Sequence, residues 1–138
     1  MARGRRITKP LTMLAEAAEN VDERNLDSWI PLQIKIHQGE ELTLDEQIEW
    51  MTHSVNSTPM YQHILDVADD FDTLFFAPYL FGTTFWGSLL RPDKSVLIPC
   101  LHDESYAYTD VVSSMFRQTS GALFNVPNLF YFAFLGKK

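Results

Sequence analysis

Apolar positions along the chain recur in two rhythms, one helical and one extended. Residues 11–24 (LTMLAEAAENVDER) put Leu11, Leu14, Ala15, Ala18 and Val21 on one stripe, which predicts an amphipathic helix. Residues 25–31 read as a break. Residues 32–37 (LQIKIH) alternate like a short edge strand, and Gln38-Gly39 turns the chain. Thr43 and Glu46 form a capping box, because the threonine oxygen can take the Glu46 amide while the glutamate reaches back. A helix follows from Leu44 to about Ser54, with Leu44, Ile48 and Met51 on one face. Ser57 and Thr58 before Pro59 mark another helix start, since proline at the first helical position sacrifices no bond. That helix runs to about Phe71, with Tyr61, Ile64, Leu65 and Ala68 inward.

The second half changes rhythm. Residues 73–77 and 95–100 are short apolar runs of strand length, and 121–125 (GALFN) is a third. Between the first two lie an aromatic loop, 78–87, with one helical turn, and a Pro92-Asp93-Lys94 turn. Residues 106–118 read as a helix, capped by Ser105, with Val111, Val112, Met115 and Phe116 inward. Helix, strand, loop, strand, helix, strand is the order of parallel crossover units. The fold class expected is α/β: a partial Rossmann-like three-layer domain, with a short parallel sheet flanked by helices.

Composition narrows this picture. A chain of 138 residues with 46% hydrophobic and 21% charged residues fits one folded domain. A net charge of −7 argues against a general nucleic-acid binder, which needs cations to displace counterions. Arg3, Arg5, Arg6 and Lys9 make a basic arm suited to phosphate or an anionic membrane, while Glu40, Glu41, Asp45, Glu46 and Glu49 form an acidic block. The single cysteine, Cys100, fits a reducing compartment. No apolar run approaches the roughly 20 residues of a membrane span, and no signal peptide is apparent. The expected location is cytoplasmic, or peripheral to the inner membrane.

The candidate chemistry sits where apolar runs stop. His102-Asp103-Glu104 directly follows the second run, at the carboxyl end of a strand, where open α/β sheets place ligand chemistry. His102 can act as donor or base near neutrality, and Asp103 can orient it or meet a sugar hydroxyl. The same triplet reads structurally as a loop whose acids favour the following helix. The loop 78–87 (PYLFGTTFWG) offers Tyr79, Phe81, Phe85 and Trp86 for stacking, and Thr83 and Thr84 for hydrogen bonds. Gly82 and Gly87 allow tight turning there. The alternative for this loop is aromatic packing. It is not a phosphate-binding P-loop. Cys100 reads as an inert thiol, and His37, His53 and His63 are scattered without the spacing of a metal helix. No metal site is expected.

In series, EQIEWM (46–51), 57–61, FAPYLFGTTFWG (76–87), LIPCLHDESYAY (97–108) and GALFN (121–125) resemble one family. They are similar to the amino-terminal, acceptor-side domain of bacterial glycosyltransferases of family 4, the group 1 type with the GT-B fold. The likeness covers residues 42–125, well over half of the chain. It implies a retaining transferase without a bound metal or other cofactor, whose nucleotide-sugar donor is a co-substrate held mainly by a second domain. The acceptor would be a saccharide or a lipid-linked glycan. His102 and Asp103 would correspond to catalytic groups at the cleft, and Tyr79, Gly82, Thr83, Thr84 and Glu104 to substrate-binding ones.

The departures from the family also matter. No Gly-rich first strand-to-helix loop precedes residue 32, and 126–138 (VPNLFYFAFLGKK) does not read as the family's next helix. The expected division is 1–31, a basic arm and helix; 32–125, the partial acceptor-side domain; and 126–138, a divergent apolar tail. The donor half is expected from a separate chain, so this chain alone should have little or no activity. The alternative is a non-catalytic saccharide-binding or subunit-interaction module derived from such an enzyme.

Overall fold

The computed structural model describes residues 20–126 and 129–133, with side chains as far as Phe124. The element order is α1 (Leu26–His37), α2 (Leu44–Thr52), α3 (Thr58–Val67), β1 (Leu74–Phe76), α4 (Gly82–Leu90), β2 (Ser95–Leu97), α5 (Asp110–Gln118), β3 (Gly121–Val126) and β4 (Leu129–Ala133). Two 3₁₀ turns, Ala68–Asp70 and Ser105–Tyr108, follow α3 and precede α5. The predicted basic arm and most of the predicted helix over 11–24 lie outside the described residues. Residues 20–24 are not helical.

The sheet has the order β1-β2-β3-β4. The first three strands are parallel and the fourth runs antiparallel against β3. The fold is therefore mixed α/β with an open, three-stranded parallel sheet, extended by an antiparallel edge. Leu129–Ala133, within the stretch 126–138, supplies that edge. Its composition, LFYFA, suits a strand.

Phe76, Leu97 and Ala122 stand in register across the three parallel strands and enter one core with Phe85, Val111, Val112 and Met115. Helices α4 and α5 touch each other over this core, so both crossovers occupy the same face. Phe75, one residue out of phase, is 60% exposed on the other side. Gly87 lets α4 lie close to β1, because a methyl there would come 2.9 Å from the Phe76 ring.

The first helix corrects the expected break over 25–31 and edge strand over 32–37. Asn25 caps α1 by accepting the Ser28 amide at 3.2 Å, and Pro31 lies inside the helix. Trp29, Leu32 and Ile36 form the inward stripe at helical spacing. The expected inward faces of α2 and α3 hold in part: Met51, Ile64 and Ala68 are buried as read, and Tyr61 is half-buried. In α2 the buried residues are Gln47, Trp50 and Met51, with Leu44 and Ile48 exposed. In α3 they are His63 and Ile64, with Leu65 exposed. The capping box forms as read, with Glu46 N–H donating to Thr43 Oγ1 and Thr43 N–H to Glu46 Oε2.

Helix α5 begins four residues later than expected, at Asp110, after the 3₁₀ turn. Its own cap residue, Thr109, makes no side-chain cap bond. Buried Gln47 of α2 serves instead, accepting the Val111 amide at 3.1 Å while donating to Leu42 O and Asp110 Oδ2. Val111, Val112 and Met115 are buried, as their spacing predicts.

Candidate functional site

The loops that leave the carboxyl ends of β1 and β2 are tied to each other. Tyr79 N–H donates to Pro99 O at 3.1 Å, and Tyr79 Oη donates to Glu104 Oε1 at 2.5 Å. Tyr79 is 2% exposed, so the bond runs from a buried ring to a half-buried carboxylate. Burial first, then this bond and the Glu104 charge, push the Tyr79 phenol above its ordinary value. Between these anchors the backbone at Cys100 takes φ 51°, in the left-handed region that non-glycine residues rarely occupy. That reversal leads into Leu101, His102 and Asp103, which are all exposed.

The far side of the loop is held by the helical layer. Trp50 Nε1 donates to Gln33 Oε1 at 2.7 Å, and Gln33 Nε2 donates to the Tyr106 hydroxyl at 2.8 Å. The Trp50 and Tyr106 rings stack with centroids 5.8 Å apart. The segment from Glu104 to Tyr106 is thus pinned at both Glu104 and Tyr106, and His102-Asp103 projects from a braced base. Tyr108, 75% exposed, donates its hydroxyl to Asp103 Oδ1 at 2.7 Å. That bond raises the Tyr108 phenol above its usual value.

The residues expected to bind substrate separate into two groups. His102, Asp103 and Glu104 lie together after β2, with Tyr79 joined to them through Glu104. Gly82, Thr83 and Thr84 instead open α4, whose start is sealed by the α2–α3 link. Gly82 N–H donates to Ser54 Oγ at 3.1 Å and Thr83 N–H to Val55 O at 2.9 Å. Gly82 and Thr84 are buried and Thr83 half-buried. The predicted loop over 78–87 is helical from Gly82, and the helix start spends those two amides on protein acceptors rather than leaving them open to a phosphate.

Several contributors were not among the site residues expected from the sequence. Gln33, Trp50 and Tyr106 brace the loop from α1, α2 and the 3₁₀ turn. Asn56 organises the link beneath Gly82: its amide donates to Met51, Thr52 and Ser54 carbonyls, and its oxygen accepts from Tyr61 Oη at 2.5 Å. A groove of about 520 Å³ borders Tyr108, with Glu40, Glu41, Gln47 and Asp110 on its walls. A second hollow, about 560 Å³, lies between Tyr61, Trp86, Leu89 and Leu90. Among the described residues no group of three or more His, Cys, Asp or Glu side chains is placed to hold a metal ion, and no helix is long and apolar enough to cross a membrane.

Chemically, the edge after β2 offers an imidazole, a carboxylate and an exposed aromatic ring on a rigid base. Such a set can hydrogen-bond hydroxyl groups and stack on a sugar face. Compared with protein-family models, curated proteins and solved structures, the chain matches none.

Proposed function

We propose that the chain is an acceptor-side glycosyltransferase domain of the kind its sequence resembles, whose loop after β2 meets saccharide hydroxyls through His102 and Asp103. The observation that carries this reading is the Tyr79–Glu104 bond. It ties the loop after β1 to the loop after β2 at a buried ring and leaves His102 and Asp103 exposed just before the tie. A fixed base is what orientation of a reacting hydroxyl requires. On this reading a nucleotide-sugar is held by a second body, and the chain alone turns over little or none of it.

Two observations favour the non-catalytic variant, a saccharide-binding module derived from such an enzyme. Tyr79, Gly82 and Thr84 are buried rather than open to a ligand, and the most exposed aromatic ring beside the triplet is Tyr108. Calorimetric titration with nucleotide-sugars and NMR titration with neutral oligosaccharides test both readings. The expected result is no heat with the donors, and saccharide-dependent shifts at His102, Asp103 and Tyr108 that His102→Ala weakens. Tight donor binding would sink the division between two bodies. Oligosaccharides that leave those three residues unmoved would sink the glycan reading altogether.

A further inference from the structure

The groove beside Tyr108 begins where the candidate loop ends. Ser105, Tyr108 and Thr109, which line it, directly follow the triplet His102-Asp103-Glu104. Its volume of about 520 Å³ falls within the range of about 300–1,000 Å³ usual for small-molecule sites. Ile36 and Leu42 supply its apolar surface, and Ser105 and Thr109 border it with hydroxyl groups. Tyr108 belongs to both places. Its ring lines the groove while its hydroxyl holds Asp103 at 2.7 Å, so an exposed aromatic ring stands tethered between the triplet and the groove.

The charge of the walls has one sign. Glu40, Glu41 and Asp110 are exposed along the groove, and among the described residues no basic side chain lines it. Lys35 brings no open positive charge to it, because Glu46 holds the ammonium at 2.9 Å with Glu40 close by. Ionised carboxylates only accept hydrogen bonds. They suit sugar hydroxyls and ammonium groups, and they repel other anions.

We propose that the saccharide continues from His102 and Asp103 into this groove, with a sugar ring stacked on Tyr108, and that Glu40, Glu41 and Asp110 restrict it to uncharged or amine-bearing rings. Uronic acids and sugar phosphates are turned away by like charge, a specificity built from repulsion rather than from an added contact. This inference rests on the saccharide reading and narrows it. The diphosphate of a lipid-linked glycan would have to lie outside the groove.

NMR titration of the full chain with β-1,4-linked trisaccharides of glucose, glucosamine and glucuronic acid provides the test. The glucose trisaccharide should shift Ser105, Tyr108 and Thr109 together with His102 and Asp103. Its glucuronic acid counterpart should bind about fivefold more weakly or worse, as one close pair of like charges implies. The glucosamine trisaccharide should bind at least as tightly as glucose. Tyr108→Ala should weaken the glucose trisaccharide by about threefold or more. Glu40→Gln combined with Glu41→Gln should close most of the gap between glucose and glucuronic acid, which a repulsion set by the whole chain at −7 would barely move. Equal affinity for the three sugars, or a gap that survives the double substitution, overturns the proposal and leaves the saccharide reading standing. So do shifts at His102 and Asp103 with none at Ser105 and Thr109. No shift at any of these residues with any of the three sugars overturns both.

Discussion

Replacing Gly82 with alanine separates a packing glycine from a ligand-facing one. A methyl at this position would lie 2.8 Å from both Cγ and Nδ2 of Asn56, with Oδ1 closer still. Asn56 cannot yield cheaply. It is 7% exposed, donates to three carbonyls between Met51 and Ser54, and accepts the Tyr61 hydroxyl. Displacing it forfeits two or three of these bonds at about 1 kcal/mol each, with more for any carbonyl left buried and unpaired. Against this stands the helix-propensity gain of alanine, at most about 1 kcal/mol. The balance is a loss of about 2–3 kcal/mol, or a fall in Tm of roughly 10 °C for a chain of this size.

Thermal and urea unfolding of Gly82→Ala measure that loss directly. Asn56→Ala supplies the control. In that background the methyl has room, and Gly82→Ala should be neutral or slightly stabilising, giving a coupling of about 2 kcal/mol. A single Gly82→Ala variant with unchanged or raised Tm would refute the reasoning. It would show that the α2–α3 link is not held against α4 as its hydrogen bonds imply.

Three further outcomes follow from the same structure. Tyr79→Phe should cost about 1.5 kcal/mol, the lower end for a bond to a charged group because Glu104 is half-exposed, and should speed amide exchange over 101–104; unchanged exchange there would argue against the brace. Burial first, with the Asp22 charge for Tyr61 and the Glu104 bond for Tyr79, raises both phenols in the folded state. The folded chain then keeps protons that the unfolded chain loses, so stability is complete below the ordinary phenol value of about 10 and falls as pH rises beyond it. Denaturant midpoints that hold constant through that alkaline range would contradict this. Pro31→Ala, at an exposed position inside α1, should restore an amide aimed at the Asp27 carbonyl and raise stability by about 1–2 kcal/mol; a lower Tm would refute it.

What the sequence made legible was the chemistry of ends. The Thr43–Glu46 box, Ser57 before a proline, and the three apolar strands all appear where local patterns put them, because each is decided within a few residues. Helix α1 was hidden by its own second face. Ile34 and Ile36 alternate with polar residues, and Pro31 argues against a helix, yet the Trp29–Leu32–Ile36 stripe gains more by packing on Trp50 and Tyr106 than a two-sided strand could. Helix α4 was hidden for another reason. Its two glycines and two threonines are poor helix formers, and it is held by Ser54 Oγ, Val55 O and the sheet beneath it. In the candidate site, the triplet His102-Asp103-Glu104 was legible as a polar break after a strand. The brace beneath it was not, because Gln33, Trp50 and Tyr79 reach it from distant parts of the chain.

The Gln47 side chain that closes the start of α5 has a consequence for how the molecule opens. A helix of nine residues without its own cap is too short to persist alone. The amide of its second residue, Val111, is satisfied across 64 positions of sequence. Helices α2 and α5 are therefore expected to breathe as one cooperative unit, with their slowest amides sharing a single opening free energy in native-state hydrogen exchange. Gln47→Ala should then loosen α5 as strongly as the helix that carries the substitution, although the two are joined by no continuous backbone ladder.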